Sequence, residues 1–206
     1  MKNANLTLRT VFLAAFLAAP AAFAAVPVGG MAPPLELQGS DGKKHSIASA
    51  KGKWVVLEWL NHGCPYVKKH YVSGNMQALQ AKYTAKGVVW YSVISSAPGK
   101  QGHGEVAPEP KAAKSAATAV LFDPEGTVGR AYGATTTPHM FVINPQGKVV
   151  YQGAIDDKPT TDAADIAGAK NYVAAALDTA LDPKLGESKI EKASEKPYGC
   201  SIKYKN

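Results

Sequence analysis

Along this chain the spacing of apolar residues changes period at a few clear points, and each change marks an element. Leu35-Glu36-Leu37-Gln38 alternates and meets Gly39-Ser40-Asp41-Gly42, with Lys43 to Ile47 beyond it. That pattern predicts a β-hairpin closed by an Asp-Gly turn. Trp54-Val55-Val56-Leu57-Glu58-Trp59-Leu60 is β-branched and aromatic almost throughout, as in a mostly buried strand. Past Asn61-His62-Gly63-Cys64-Pro65, apolar residues recur at helical spacing: Val67, Tyr71, Val72, Met76, Leu79 and Tyr83. This predicts a single helix from Pro65 to about Ala85, ended by Gly87. Val88 to Ile94 is the next strand, so the unit is βαβ and implies parallel pairing.

Residues 95–118 are rich in Ala, Gly, Pro and Lys and read as a long loop, with one possible helix near Pro110 to Ala119. Val120-Leu121-Phe122 is a short strand, and Asp123-Pro124-Glu125-Gly126 opens a short helix through Tyr132. Met140 to Ile143, the turn Asn144-Pro145-Gln146-Gly147, and Val149 to Tyr151 predict a second hairpin. A loop over Asp156 to Asp165 leads to a last helix, Ile166 to Leu181, with Tyr172, Val173, Ala176 and Leu177 on one face. The tail, 183–206, is polar and is expected to be flexible.

Composition changes the picture at the ends. Lys2 and Arg9 precede the apolar stretch Val11 to Ala19, Pro20 breaks it, and Ala22-Phe23-Ala24 is a small-x-small site. Residues 1–24 therefore read as a cleaved secretory signal, too short to span about 30 Å of hydrocarbon. Residues 25–206 then form a single domain, periplasmic or secreted, with no stable membrane insertion expected. Loss of Lys2 and Arg9 takes the net charge from +7 to +5, and six of the remaining lysines lie between Lys184 and Lys205 among glutamates. A nucleic-acid binder needs a basic stripe with interleaved aromatics, and this chain has none.

An exported protein meets oxidising conditions, so its thiols need a reason. Cys64 and Cys200 are the full inventory, and a bridge between them is the default expectation. Cys64 falls where a buried strand ends and a helix begins. Free N–H groups and the helix dipole favour a thiolate there, and the thiolate is the nucleophile. Pro65 suits the first helical turn, where its missing N–H costs nothing. Lys68, Lys69, His62 and His70 would act in the same sense if they face the sulfur. The alternative is an inert cysteine at a strand–helix junction.

The order of these features resembles the thioredoxin superfamily. Leu57-Glu58-Trp59, Cys64-Pro65-Tyr66-Val67-Lys68-Lys69-His70-Tyr71, Ser73-Gly74-Asn75-Met76-Gln77, Ala154-Ile155-Asp156-Asp157 and Gly199-Cys200-Ser201-Ile202-Lys203 are similar to the peroxiredoxin-like redoxins of the AhpC/TSA type. The resemblance implies an α/β, thioredoxin-like three-layer fold: a central mixed β-sheet flanked by helices, with an N-terminal β-hairpin and a C-terminal tail. It also implies that Pro138 is a cis proline opposite the active-site cysteine, preceded by Thr137. Two departures stand out. Val67 replaces the second cysteine of the thioredoxin Cys-x-x-Cys motif. Asn61, Leu57 and Pro138 stand where peroxiredoxins carry their hydroxyl, proline and arginine.

Cys200 can supply the missing partner, as a resolving thiol or as a staple for the tail. Cys64 with His62 or His139 could hold a soft metal such as Cu(I), yet a single cysteine is a poor set for it, so neither a metal nor another cofactor is expected. The expected function is an exported thiol-disulfide oxidoreductase. Cys64 attacks, Cys200 resolves or bridges, and Thr137-Pro138 forms the wall for partner thiols or an external reductant, with His62 and Pro65 in support. The alternatives are a binding module with a permanent bridge and a weak antioxidant peroxidase.

Overall fold

Val55 to Trp59 is buried at every position, which places that strand at the centre of the molecule. The computed structural model describes residues 25–105 and 115–205. The expected signal segment 1–24 and residues 110–114 of the expected loop helix lie outside them; residues 115–118 are not helical, and Ala119 opens a strand.

In chain order the elements are β1 (Glu36–Gly39), β2 (Lys44–Ser46), β3 (Val55–Trp59), α1 (Pro65–Val72), α2 (Asn75–Thr84), β4 (Val89–Ile94) and β5 (Ala119–Phe122). Then follow α3 (Thr127–Tyr132), β6 (Thr136–Thr137), β7 (His139–Ile143), β8 (Val149–Gly153), α4 (Tyr172–Leu181) and β9 (Cys200–Ser201). Seven strands form one sheet in the order β2-β1-β5-β4-β3-β7-β8. Pairing is parallel for β3–β4 and β4–β5 and antiparallel for β3–β7, so the expected mixed sheet is present. Both expected hairpins form.

The pleat sorts side chains to two cores. Val56 and Leu60 face one side, with Val67 and Tyr71 of α1, Met76 and Tyr83 of α2, and Val173 and Leu177 of α4. Val55, Leu57 and Trp59 face the other, with Val128 and Tyr132 of α3 and with Phe141. The rings of Trp59 and Phe141 meet edge-on with centroids 5.2 Å apart. Each large apolar side chain so buried contributes about 1.5–3 kcal/mol. By the same alternation Glu58 must point toward α1 and α2, into apolar surroundings.

Two helical expectations change. The single helix from Pro65 is two, broken at Ser73-Gly74 where Gly74 takes a left-handed φ of 81°. The apolar spacing carried across that break without registering it. The last helix starts at Tyr172, capped by Asn171 Oδ1, which accepts from Ala174 N at 2.8 Å; residues 163–168 form a separate 3-10 turn. Fold position is otherwise as the apolar pattern implies.

The tail is the larger correction. It is not a free strand of chain. Gln152 N donates to Ala193 O (3.0 Å), Glu195 N to Gln152 O (3.1 Å), and Ile202 N to Thr135 O (3.1 Å). Ile202 is buried in the second core, and Tyr204 OH donates to Ala134 O at 2.8 Å. Bare backbone makes the close passes possible. A Cβ on Gly153 would sit 1.8 Å from Glu195 O, and one on Gly199 would sit 2.1 Å from Thr137 O.

Candidate active site

Cys64 caps α1, with Pro65 in the first turn as expected. Its Lys68 N→Cys64 O bond of 2.9 Å opens the helix, and its own N–H donates to Asn61 O at 2.9 Å. The side chain is fully buried, at 0% exposure. Its thiol donates to the Thr137 carbonyl at 3.2 Å, just before the cis Thr137-Pro138 bond. Pro138 is thus cis and beside the thiol, as the resemblance implied.

β9 pairs antiparallel with β6, and the register sets Cys200 opposite Thr137. This packs Cys200 against the core cluster that holds Cys64, close enough for each thiol to act on the ionisation of the other. Both thiols are free. Cys200 is partly exposed, whereas Cys64 is buried. Two cysteines far apart in the sequence therefore meet at one point.

Their electrostatics diverge. Burial pushes the Cys64 thiol up, but hydrogen bonds from Cys200, Thr137 and the Val67 N–H outweigh it and leave it below its usual value. The buried Thr137 hydroxyl has no other partner, so it is available to a Cys64 thiolate. Burial likewise raises Cys200, and its bond and proximity to Cys64 add to this, taking it to about 11. Of the two thiols, Cys64 is the more readily ionised.

Lys69 and His70, two of the groups expected to help Cys64, turn elsewhere. Lys69 Nζ donates to Lys158 O at 2.6 Å and lies 3.9 Å from Asp156 Oδ2. His70 Nε2 also lies 3.9 Å from Asp156 Oδ2, and Tyr198 OH donates to Asp156 Oδ1. This buried cluster ties α1 to the tail two residues ahead of Cys200. His62 is buried with its ring edge-on to Tyr71 at 5.5 Å. His139 stacks against Phe141 at 4.6 Å, accepts weakly from Thr135 N (3.3 Å), and is pushed down to about 4 by burial. Among the described residues no group of three or more His, Cys, Asp or Glu side chains could hold a metal ion.

Glu58 was legible only as a strand residue, and the structure makes it the polar centre beneath α1 and α2. It is fully buried and accepts from Tyr71 OH (2.7 Å), Trp90 Nε1 (2.8 Å), Ser92 Oγ (3.0 Å) and Gln80 Nε2 (3.1 Å). Burial raises its carboxyl above the usual range despite those donors. The available signal was a lone acid in an otherwise apolar strand. Lys69 reads in the sequence as a helper of Cys64 and Asp156 as part of a family motif, and nothing there pairs either with Tyr198.

Comparison with known proteins gives the family. The model of the AhpC/TSA family matches residues 28–152, more than half of the chain, and the chain belongs to that family. Among solved structures it is similar to a hypothetical protein of Sinorhizobium meliloti 1021, at 21% identity and TM-score 0.67 over 88% of this chain and 97% of that one. An uncharacterized conserved protein of Geobacillus kaustophilus matches at 28% identity and TM-score 0.61, over 87% and 93%. The thioredoxin domain of a thiol-disulfide oxidoreductase from Bacteroides vulgatus matches at 20% identity and TM-score 0.50, over 62% and 89%. No curated protein matched. The α/β fold is therefore thioredoxin-like, as expected.

Proposed function

We propose that this AhpC/TSA-family chain is an exported thiol-disulfide oxidoreductase in which Cys64 and Cys200 form the redox pair. The observation that carries the reading is the β6–β9 register, which sets Cys200 opposite Thr137, the residue whose carbonyl accepts from the Cys64 thiol at 3.2 Å. A pair placed on the same residue closes to a disulfide, giving up two electrons and two protons to a disulfide-bearing acceptor. Cys64 is the thiolate of the pair and Cys200 bridges to it. Thr137 and Pro138 form the wall beside the sulfurs, Pro65 sets the helix start, and His62 packs behind it. Protein thiols and disulfides are the proposed partners. Nothing in the charge pattern favours nucleic acid, and no helix among the described residues is long and apolar enough to cross a membrane.

Export rests on residues 1–24. Intact mass of the protein from the periplasmic or culture fraction is expected to start at Ala25; retention of Met1 there would remove export from the proposal. The redox role is tested by equilibrating the protein in glutathione buffers and trapping free thiols with a maleimide. An exchange-active pair titrates above about −300 mV, whereas a structural staple lies below about that value. Titration below it would replace the oxidoreductase by a stapled module. Cys64→Ser and Cys200→Ser are each expected to abolish the two-electron titration.

A further inference from the structure

We propose that partner thiols exchange with this protein through the Cys200 sulfur, and that Cys64 is the buried leaving thiolate, so the mixed disulfide forms on the tail. This order presupposes that Cys64 and Cys200 turn over as a redox pair. It reverses the roles that the helix-start position alone implies.

Access decides the first step. A thiolate displaces sulfur in line with the S–S bond, from the side opposite the leaving sulfur. Attack on Cys64 would have to arrive opposite Cys200, from the direction of the fully buried interior. Attack on Cys200 arrives opposite Cys64, which is the solvent side, because Cys200 is the partly exposed member of the pair. Ser201 beside it is exposed, and Lys203 lies close enough to act on the Cys200 thiol by its charge. That ammonium favours an approaching anion. The rim therefore suits a thiolate at Cys200 and offers none a path to Cys64.

The second consideration is the leaving group. Displacement is faster when the departing thiolate is more stable. Cys64 departs to the N-terminus of α1, where the Val67 N–H and the Thr137 side chain meet its charge. The step balances: the partner thiolate forms a bond to Cys200 Sγ, the Cys64–Cys200 bond breaks, and its electron pair stays on Cys64. A second thiol of the partner then attacks the partner's own sulfur and releases Cys200 as a thiolate, which takes a proton from water. The partner dithiol is oxidised to a disulfide, and this protein gains two electrons. Reoxidation requires another protein disulfide. In reverse, Cys200 engages a partner disulfide and Cys64 resolves it.

The test uses the oxidised wild-type protein, so no variant has to fold. Reduced glutathione is added, samples are quenched in acid over a short time course, freed thiols are capped with a maleimide, and peptides are mapped by mass. Extrapolated to zero time, glutathione is expected on Cys200 and the cap on Cys64, in excess of the reverse by about tenfold or more. An even split, or glutathione chiefly on Cys64, overturns this order while leaving the redox pair standing. A protein that forms no Cys64–Cys200 disulfide, or whose disulfide resists glutathione, overturns both.

Discussion

The two cysteines reach the same point by opposite routes. Cys64 is set by its neighbours in sequence: a buried strand delivers it, Pro65 starts the helix, and the Val67 N–H adds to the lowering that Cys200 and the Thr137 side chain give its pKa. Cys200 stands on two residues of strand that exist only because β6 is there to pair with them. Its position depends on Gly199, on the Tyr198–Asp156 contact and on the buried Ile202. The local route gives a stabilised thiolate with no access, and the long-range route gives access with a reluctant thiol. Division of labour follows from that contrast.

Breaking the local half is expected to have the largest effect. Glu58→Ala leaves the donors of Tyr71, Gln80, Trp90 and Ser92 facing a cavity between the two helices and the sheet. A loss of about 3–5 kcal/mol in urea unfolding is expected; a change under about 1 kcal/mol would mean that water replaces the carboxylate there.

Next is the acid side of stability. His70 and His139 are both pushed down to about 4, by burial first in each case, with Asp156 opposing and Lys69 reinforcing the shift at His70. Both stay neutral in the fold while the unfolded chain takes protons below about 6.5. Stability is therefore lost as pH falls from about 6.5 to about 4, by roughly 2–3 kcal/mol for each ring. Glu58, raised by burial, acts in the opposite sense, so the difference between wild type and His139→Gln isolates the imidazole. A difference that stays constant across that window would show His139 to be charged or exposed.

The long-range half is probed at its hinge. Gly199→Ala must push the chain off Thr137, because the added Cβ would lie 2.1 Å from a backbone oxygen. Cys64 then loses the neighbouring Cys200 thiol that helps to lower its pKa. Its thiolate absorbance near 240 nm should titrate upward by about one unit, about tenfold in thiolate fraction, while the fold survives by circular dichroism. An unchanged titration would show that the helix start alone sets Cys64. Smallest is Tyr198→Phe, which removes one hydroxyl from Asp156. It should cost about 1 kcal/mol and slow disulfide closure, measured by quenched alkylation, with the Cys64 titration held. A shift of that titration would place Tyr198 in the Cys64 electrostatics instead.

How far the chain could be read follows the same division. The strands, the parallel βαβ unit, both hairpins and the Cys64-Pro65 helix start were legible because each is written in periods of two or 3.6 and in turn residues. The break at Gly74 was not, since apolar spacing continued through it. Lys69 and His70 sit on α1 as if to serve Cys64, and only the fold turns them toward Asp156. The tail misled most: its composition is that of a solvated segment, yet two glycines let it pass within contact of β8 and β6.

Local chemistry, then, is what the order of residues determined here: a mixed sheet, a cysteine at a helix start and a second cysteine near the end. That both cysteines lie at Thr137, that Cys64 is buried while Cys200 is partly exposed, and that Cys64 is the more readily ionised were decided by tertiary structure. The reason is physical. Periodicity and capping act over a few residues, whereas access and proton sharing depend on which surfaces the folded chain lays against each other.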